Sequence, residues 1–133
     1  MESFMEVIKR GKIAVLKSDP GHGMVTFVRD HIKKDYPDVY HVFITGSGYV
    51  DPFDVKLSIN EEYTEILAIA CDNCEPELFE YLESLRDRIA IILMVHDVPE
   101  RLNNEDIYVH YEMNTFEQKN MAYYGDKPVG KVE

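Results

Sequence analysis

Three short stretches hold residues whose types and spacing could do chemistry. Ser18-Asp19-Pro20-Gly21-His22-Gly23 joins the apolar run Ile13-Ala14-Val15-Leu16 to a segment that starts at Met24. A strand passing through a glycine loop into a helix N-terminus gathers backbone N–H groups and the positive end of the helix dipole, which suits a phosphate. Thr26 adds a hydroxyl just inside that helix. Cys71-Asp72-Asn73-Cys74 follows the apolar run Ile66–Ala70 and brings two thiols with a carboxylate between them. His96-Asp97 closes a third apolar run, and an imidazole can donate or accept a proton near neutral pH.

The elements that must position these residues follow from periodicity. Apolar residues at 24, 25, 28 and 32 fit a helix to about Asp35, and Pro37 marks the break after it. Tyr40–Thr45, Ile66–Ala70, Ile89–Val95 and Ile107–Tyr111 read as strands beside the first at Lys12–Lys17, by their β-branched and apolar content. Pro76 and nearby acids open a helix to about Arg88, with Leu78, Phe79, Leu82 and Leu85 as its buried stripe. A short helix begins at Pro99. Helices are also expected over 3–10 and 115–124. Residues 54–59 alternate polar and apolar, so they fit a half-exposed edge strand, with Asn60 capping a short helix as the other reading.

Apolar strands alternating with helices imply an α/β fold, a three-layer sandwich around a mostly parallel sheet of about five strands. Residues 1–125 read as a single domain and 126–133 as a polar C-terminal tail. Ligands of such sheets sit beyond the carboxyl ends of the strands, where all three stretches fall.

The totals narrow the function classes. The chain has 133 residues, 45% of them apolar, enough for a core. Its net charge of −11 opposes bulk nucleic-acid binding, because phosphate contacts supply most of that affinity. Arg29, Lys33 and Lys34 share one helix and form a local basic patch. No apolar run is long enough to span a bilayer, and Met1–Glu6 has no basic region before its apolar residues, so an intracellular, soluble protein without membrane contact is expected.

The first stretch resembles a Walker A loop, G-x-x-x-x-G-K-[ST], with Ser18 at the first glycine and Gly23 at the second. Met24 stands at the lysine, Val25 at the hydroxyl residue, and Thr26 comes one place late. Ile66–Ala70 with Cys71-Asp72 resembles a Walker B strand whose aspartate would hold Mg²⁺ through water; Asn73 stands where a catalytic glutamate usually follows. Taken with the strand ending at His96, a sensor position, the order over residues 10–125 resembles the P-loop ATPases that package genomes in double-stranded DNA viruses and pump DNA in bacteria. That resemblance implies a P-loop-NTPase-like fold, a nucleotide with Mg²⁺ as the ligand, and Ser18, Gly21, His22, Gly23, Thr26, Asp72 and His96 as the residues around it. It also implies a viral or mobile-element origin. Without the lysine and the glutamate, ATP hydrolysis is not expected, since phosphoryl transfer depends on positioned positive charge. The implied role is assembly or regulation through a protein partner or self-association.

Two other readings stay open. Cys71-x-x-Cys74, after a strand and before a helix, resembles the placement in thioredoxin-like proteins; there a helix N-terminus lowers the first thiol's pKa and the second cysteine resolves the mixed disulfide. Two cysteines alone do not make a four-ligand zinc site, so no metal centre is expected. The third reading is an acidic α/β interaction module whose glycine loop is an ordinary strand-to-helix turn.

Overall fold

Uniformly apolar runs pair poorly with water on either face, and here they form the middle of an all-parallel sheet. The computed structural model describes residues 10–18, 23–45, 49–50, 52–71 and 73–113. Five strands make the sheet: β1 (Ile13–Lys17), β2 (His41–Ile44), β4 (Ile66–Ala70), β6 (Ala90–Val95) and β7 (Tyr108–Glu112), in the order β2-β4-β6-β1-β7. A second, two-stranded parallel pair joins β3 (Tyr49–Val50) to β5 (Asn73–Cys74). The α/β class, the parallel pairing and the five strands agree with the sequence reading.

Side chains alternate along each strand, so the sheet buries two separate cores. Ile13, Val15, Leu67, Ile69, Ile91 and Leu93 face one side, where α2 (Pro52–Ser58) and α3 (Pro76–Leu85) cover them with Val55, Leu78, Phe79, Leu82 and Leu85. Ala14, Leu16, Ala68, Ile92 and Met94 face the other, covered by Met24, Phe27, Val28 and Ile32 of α1 (Met24–Asp35). Three layers result, as expected. Among the described residues no helix is long and apolar enough to cross a membrane.

The stretch 54–59 is corrected by the structure. It is not an edge strand: Pro52–Ser58 is a helix, and Asn60 caps no helix but turns the chain, its Oδ1 accepting the Glu62 N–H at 2.9 Å. Apolar residues at 53, 55, 57 and 59 fit a period of two, but 55 and 59 also lie on one helical face. Val55 and Ile59 take that face into the core, Phe53 and Leu57 stay exposed, and Pro52 starts the helix where its missing N–H is harmless. The helix after Cys74 ends at Leu85, earlier than expected, and the short helix after Pro99 is a 3-10 turn, Glu100–Asn103. The helices expected over 3–10 and 115–124 and the polar tail lie outside the described residues, Arg10 and Met113 being the nearest described positions.

Candidate functional site

The strand order brings three chain segments to one edge of the sheet. β6 lies between β1 and β4, so the residues after their carboxyl ends line up as Ser18, His96 and Cys71. Backbone bonds continue the ladders one step beyond the strands. The Ser18 N–H donates to the Val95 carbonyl at 3.1 Å, and the Cys71 N–H donates to the Met94 carbonyl at 2.9 Å. Ser18 is buried and Cys71 is buried, whereas His96 is half-buried.

His96 then reaches across to β1. Its Nδ1–H donates to the Ser18 carbonyl at 2.8 Å, across 78 positions of sequence. A carbonyl only accepts, so this contact sets the tautomer and makes Nε2 the acceptor nitrogen of the neutral ring. The link fixes where the chain leaves β1.

The chain re-enters at Gly23, whose φ of 70° lies in the left-handed region that glycine adopts without a Cβ clash. The Gly23 carbonyl accepts the first helical bond, from the Phe27 N–H at 2.9 Å. Among the described residues no side chain caps this end of α1, and no acid lies in its first turn, so the positive end of the dipole is unopposed by its own helix. Thr26 is exposed on that turn. Gly21, His22 and Asp72 lie outside the described residues.

Met24 opens α1 directly after Gly23. It is only 6% exposed and packs in the core under α1, between the helix and the sheet. A side chain leaving this backbone position enters apolar surroundings. Val25, at the hydroxyl position, is half-buried against the same core. Among the described residues no group of three or more His, Cys, Asp or Glu is gathered to hold a metal ion. What they do supply is backbone N–H groups at the start of α1 and the exposed Thr26 hydroxyl, donors that can hold an oxyanion by hydrogen bonds.

Cys71 and Cys74 form a disulfide, with Cα atoms 5.9 Å apart, inside the usual span for such a bond. Cys71 belongs to the core under α2 and α3, and Cys74, half-buried, packs against it. Helix α3 begins at Pro76 with Glu75 before it, so Cys74 stands nearer the helix N-terminus than Cys71. That order is the reverse of what activates the first thiol in the resemblance to thioredoxin-like proteins.

One feature of the opposite edge had no signal in the sequence. Arg10, Glu61, Glu62, Tyr63, Glu65 and Asp87 are among the residues lining an open groove at the amino ends of the strands. Its arginines are paired, Arg10 with Glu65 at 3.3 Å and Arg88 with Glu61 at 3.4 Å. The partners lie 55 and 27 positions apart, beyond any local pattern. Comparisons of the chain with protein-family models, curated proteins and solved structures return no match.

Proposed function

We propose that this chain is a P-loop-like domain that binds a nucleotide's phosphates through backbone and neutral side chains, does not hydrolyse them, and serves assembly or regulation. The observation that carries the reading is the position of His96. A sensor residue must stand between the phosphate loop and the acid-bearing strand, and β6 lies between β1 and β4 with His96 bonded to the Ser18 carbonyl at 2.8 Å. The start of α1, with Gly23 ahead of it in the left-handed conformation and no acid in the first turn, supports the same reading.

The buried Met24 supports loss of turnover. With no ammonium at the loop, nothing neutralises charge building on a transferred phosphoryl group. A protein partner or a second copy would then read the bound state, and viral or mobile-element origin is part of this proposal. The net charge of −11 favours such partners over bulk nucleic acid.

Thermal melting of the full chain with ATP, with and without Mg²⁺, tests the reading. Binding at 100 times Kd should stabilise by about 2.7 kcal/mol, little affected by Mg²⁺, with no phosphate released. An unmoved melting temperature at millimolar nucleotide would reduce the glycine loop to a plain turn.

The thiol–disulfide reading keeps one observation in its favour, the Cys71–Cys74 bond. A catalyst needs an accessible first sulfur at a helix N-terminus. Cys71 is 2% exposed and five positions ahead of α3, which favours a role for the bond within this protein.

A further inference from the structure

We propose that the Cys71–Cys74 disulfide is a reversible two-electron latch that holds the β3–β5 pair closed. The latch is independent of nucleotide binding and lies where the β4–α3 connection pairs with β3. Cys71 is a fixed point: its N–H is bonded to Met94 and its side chain is buried. Cys74 is half-buried and paired with Val50, while Asn73 pairs with Tyr49. Two residues per strand make a pair too short to persist by its own backbone bonds. The disulfide ties that pair to the end of β4, and so to the main sheet. Opening it frees the link between the β2–α2 connection and the start of α3.

Exposure gives the exchange a direction. A thiolate of a small thiol such as glutathione reaches Cys74 Sγ, forms a mixed disulfide there, and Cys71 leaves as a thiolate that takes up a proton. A second thiolate attacks the glutathione sulfur of the mixed disulfide, and Cys74 leaves and is protonated. In sum, two thiols become one small disulfide while the protein gains two electrons and two protons. Oxidised glutathione reverses each step. Because Cys71 leaves into apolar surroundings, where a thiolate is disfavoured, exchange should be slow compared with a thiol–disulfide catalyst.

The test equilibrates the full chain in graded glutathione buffers. Alkylation after acid quench reads the thiols, and hydrogen exchange reads the amides of 49–50 and 73–74. One two-electron transition is expected, tenfold in the oxidised-to-reduced ratio per 29.6 mV. On reduction, protection at the pair should fall by about tenfold or more, while 67–70 and 91–94 keep theirs. Cys74→Ser, at a half-buried position, should match the reduced parent in every buffer. Equal protection in both states would overturn the latch, as would thiols that stay alkylatable in oxidised glutathione. Loss of protection across the whole sheet on reduction of the parent would make the bond a staple of the fold instead. Rapid reduction of insulin by the parent, absent in Cys74→Ser, would make the pair a catalyst and also overturn it.

Discussion

Tyr108 donates its phenolic proton to Glu83, 25 positions earlier in the chain. Arg101 binds the same carboxylate through two nitrogens, each at 3.2 Å. One carboxylate thereby ties α3 to the 3-10 turn and to β7. A second copy of the arrangement stands elsewhere on α3: Tyr81 donates to Glu61 at 2.7 Å, and Arg88 lies 3.4 Å from Glu61. Each cluster holds α3 through one of its own side chains, Glu83 in the first and Tyr81 in the second.

Truncating the three members of the first cluster should give graded losses. Glu83→Ala leaves the hydroxyl of Tyr108, a residue 1% exposed, without its acceptor and should cost about 2–3 kcal/mol. Tyr108→Phe leaves Glu83 paired to Arg101 and should cost about 1 kcal/mol. Arg101→Ala removes a cation whose side chain is 38% exposed, for about 0.5 kcal/mol. Urea denaturation orders the three; a loss at Arg101 equal to that at Glu83 would contradict this account.

The same tyrosines predict an alkaline limit to stability. Burial, then the hydrogen bond to Glu83, then its charge push the Tyr108 phenol above its ordinary value of 10; burial and Glu61 do the same to Tyr81. The folded chain therefore holds protons that the unfolded chain releases above about pH 10. Their contribution is complete below the unfolded pKa and is lost as pH rises through the folded values. Stability should fall across that window by up to about 1.4 kcal/mol per pH unit for each tyrosine. The double variant Tyr81→Phe, Tyr108→Phe should show a shallower fall in urea midpoint than the parent.

Alanine substitutions in α2 distinguish its helix from the strand that its alternation suggested. A strand would place 55, 57 and 59 on one face, with similar losses at all three. The helix buries Val55 and Ile59 and leaves Leu57 71% exposed. Ile59→Ala should cost about 2 kcal/mol or more, and Leu57→Ala less than about 0.5 kcal/mol. Equal losses by urea denaturation would restore the strand.

That ambiguity shows where the sequence is legible. β1, β4 and β6 stand out because strands covered on both faces are apolar at every position, a pattern with little competition. α2 is not legible, since seven residues with apolar positions at every second place satisfy either period until packing chooses. The strand order is not legible either. It depends on which crossover passes over which face, so the meeting of Ser18 and His96 across 78 positions leaves no local mark in the sequence. The same limit hides Glu83 with Tyr108. The burial of Met24 was not legible either, since it needs the helix docked on the sheet.

A lysine at position 24 should therefore damage the fold before it supports any chemistry. Met24→Lys places an ammonium at a position 6% exposed, against Leu16, Phe27 and Met94. A loss of about 1–3 kcal/mol is expected by urea denaturation, with no ATP hydrolysis in a phosphate-release assay. Met24→Leu, similar in volume and apolar, should change stability by less than about 1.5 kcal/mol. Turnover by the single lysine variant would show that the side chain does reach the loop.

The last prediction separates the hydrogen bond of His96 from its ring. Asn carries an N–H donor close to where Nδ1 sits, so His96→Asn can keep the bond to the Ser18 carbonyl, while His96→Ala cannot. Alanine should lower stability by about 1 kcal/mol and asparagine by clearly less. If Ser18 and His96 also organise a phosphate cradle, nucleotide-dependent stabilisation should survive in the asparagine variant and disappear in the alanine variant at the same ATP concentration. Stabilisation by ATP that is equal in all three proteins would remove His96 from the site and leave its contact with Ser18 a purely structural one.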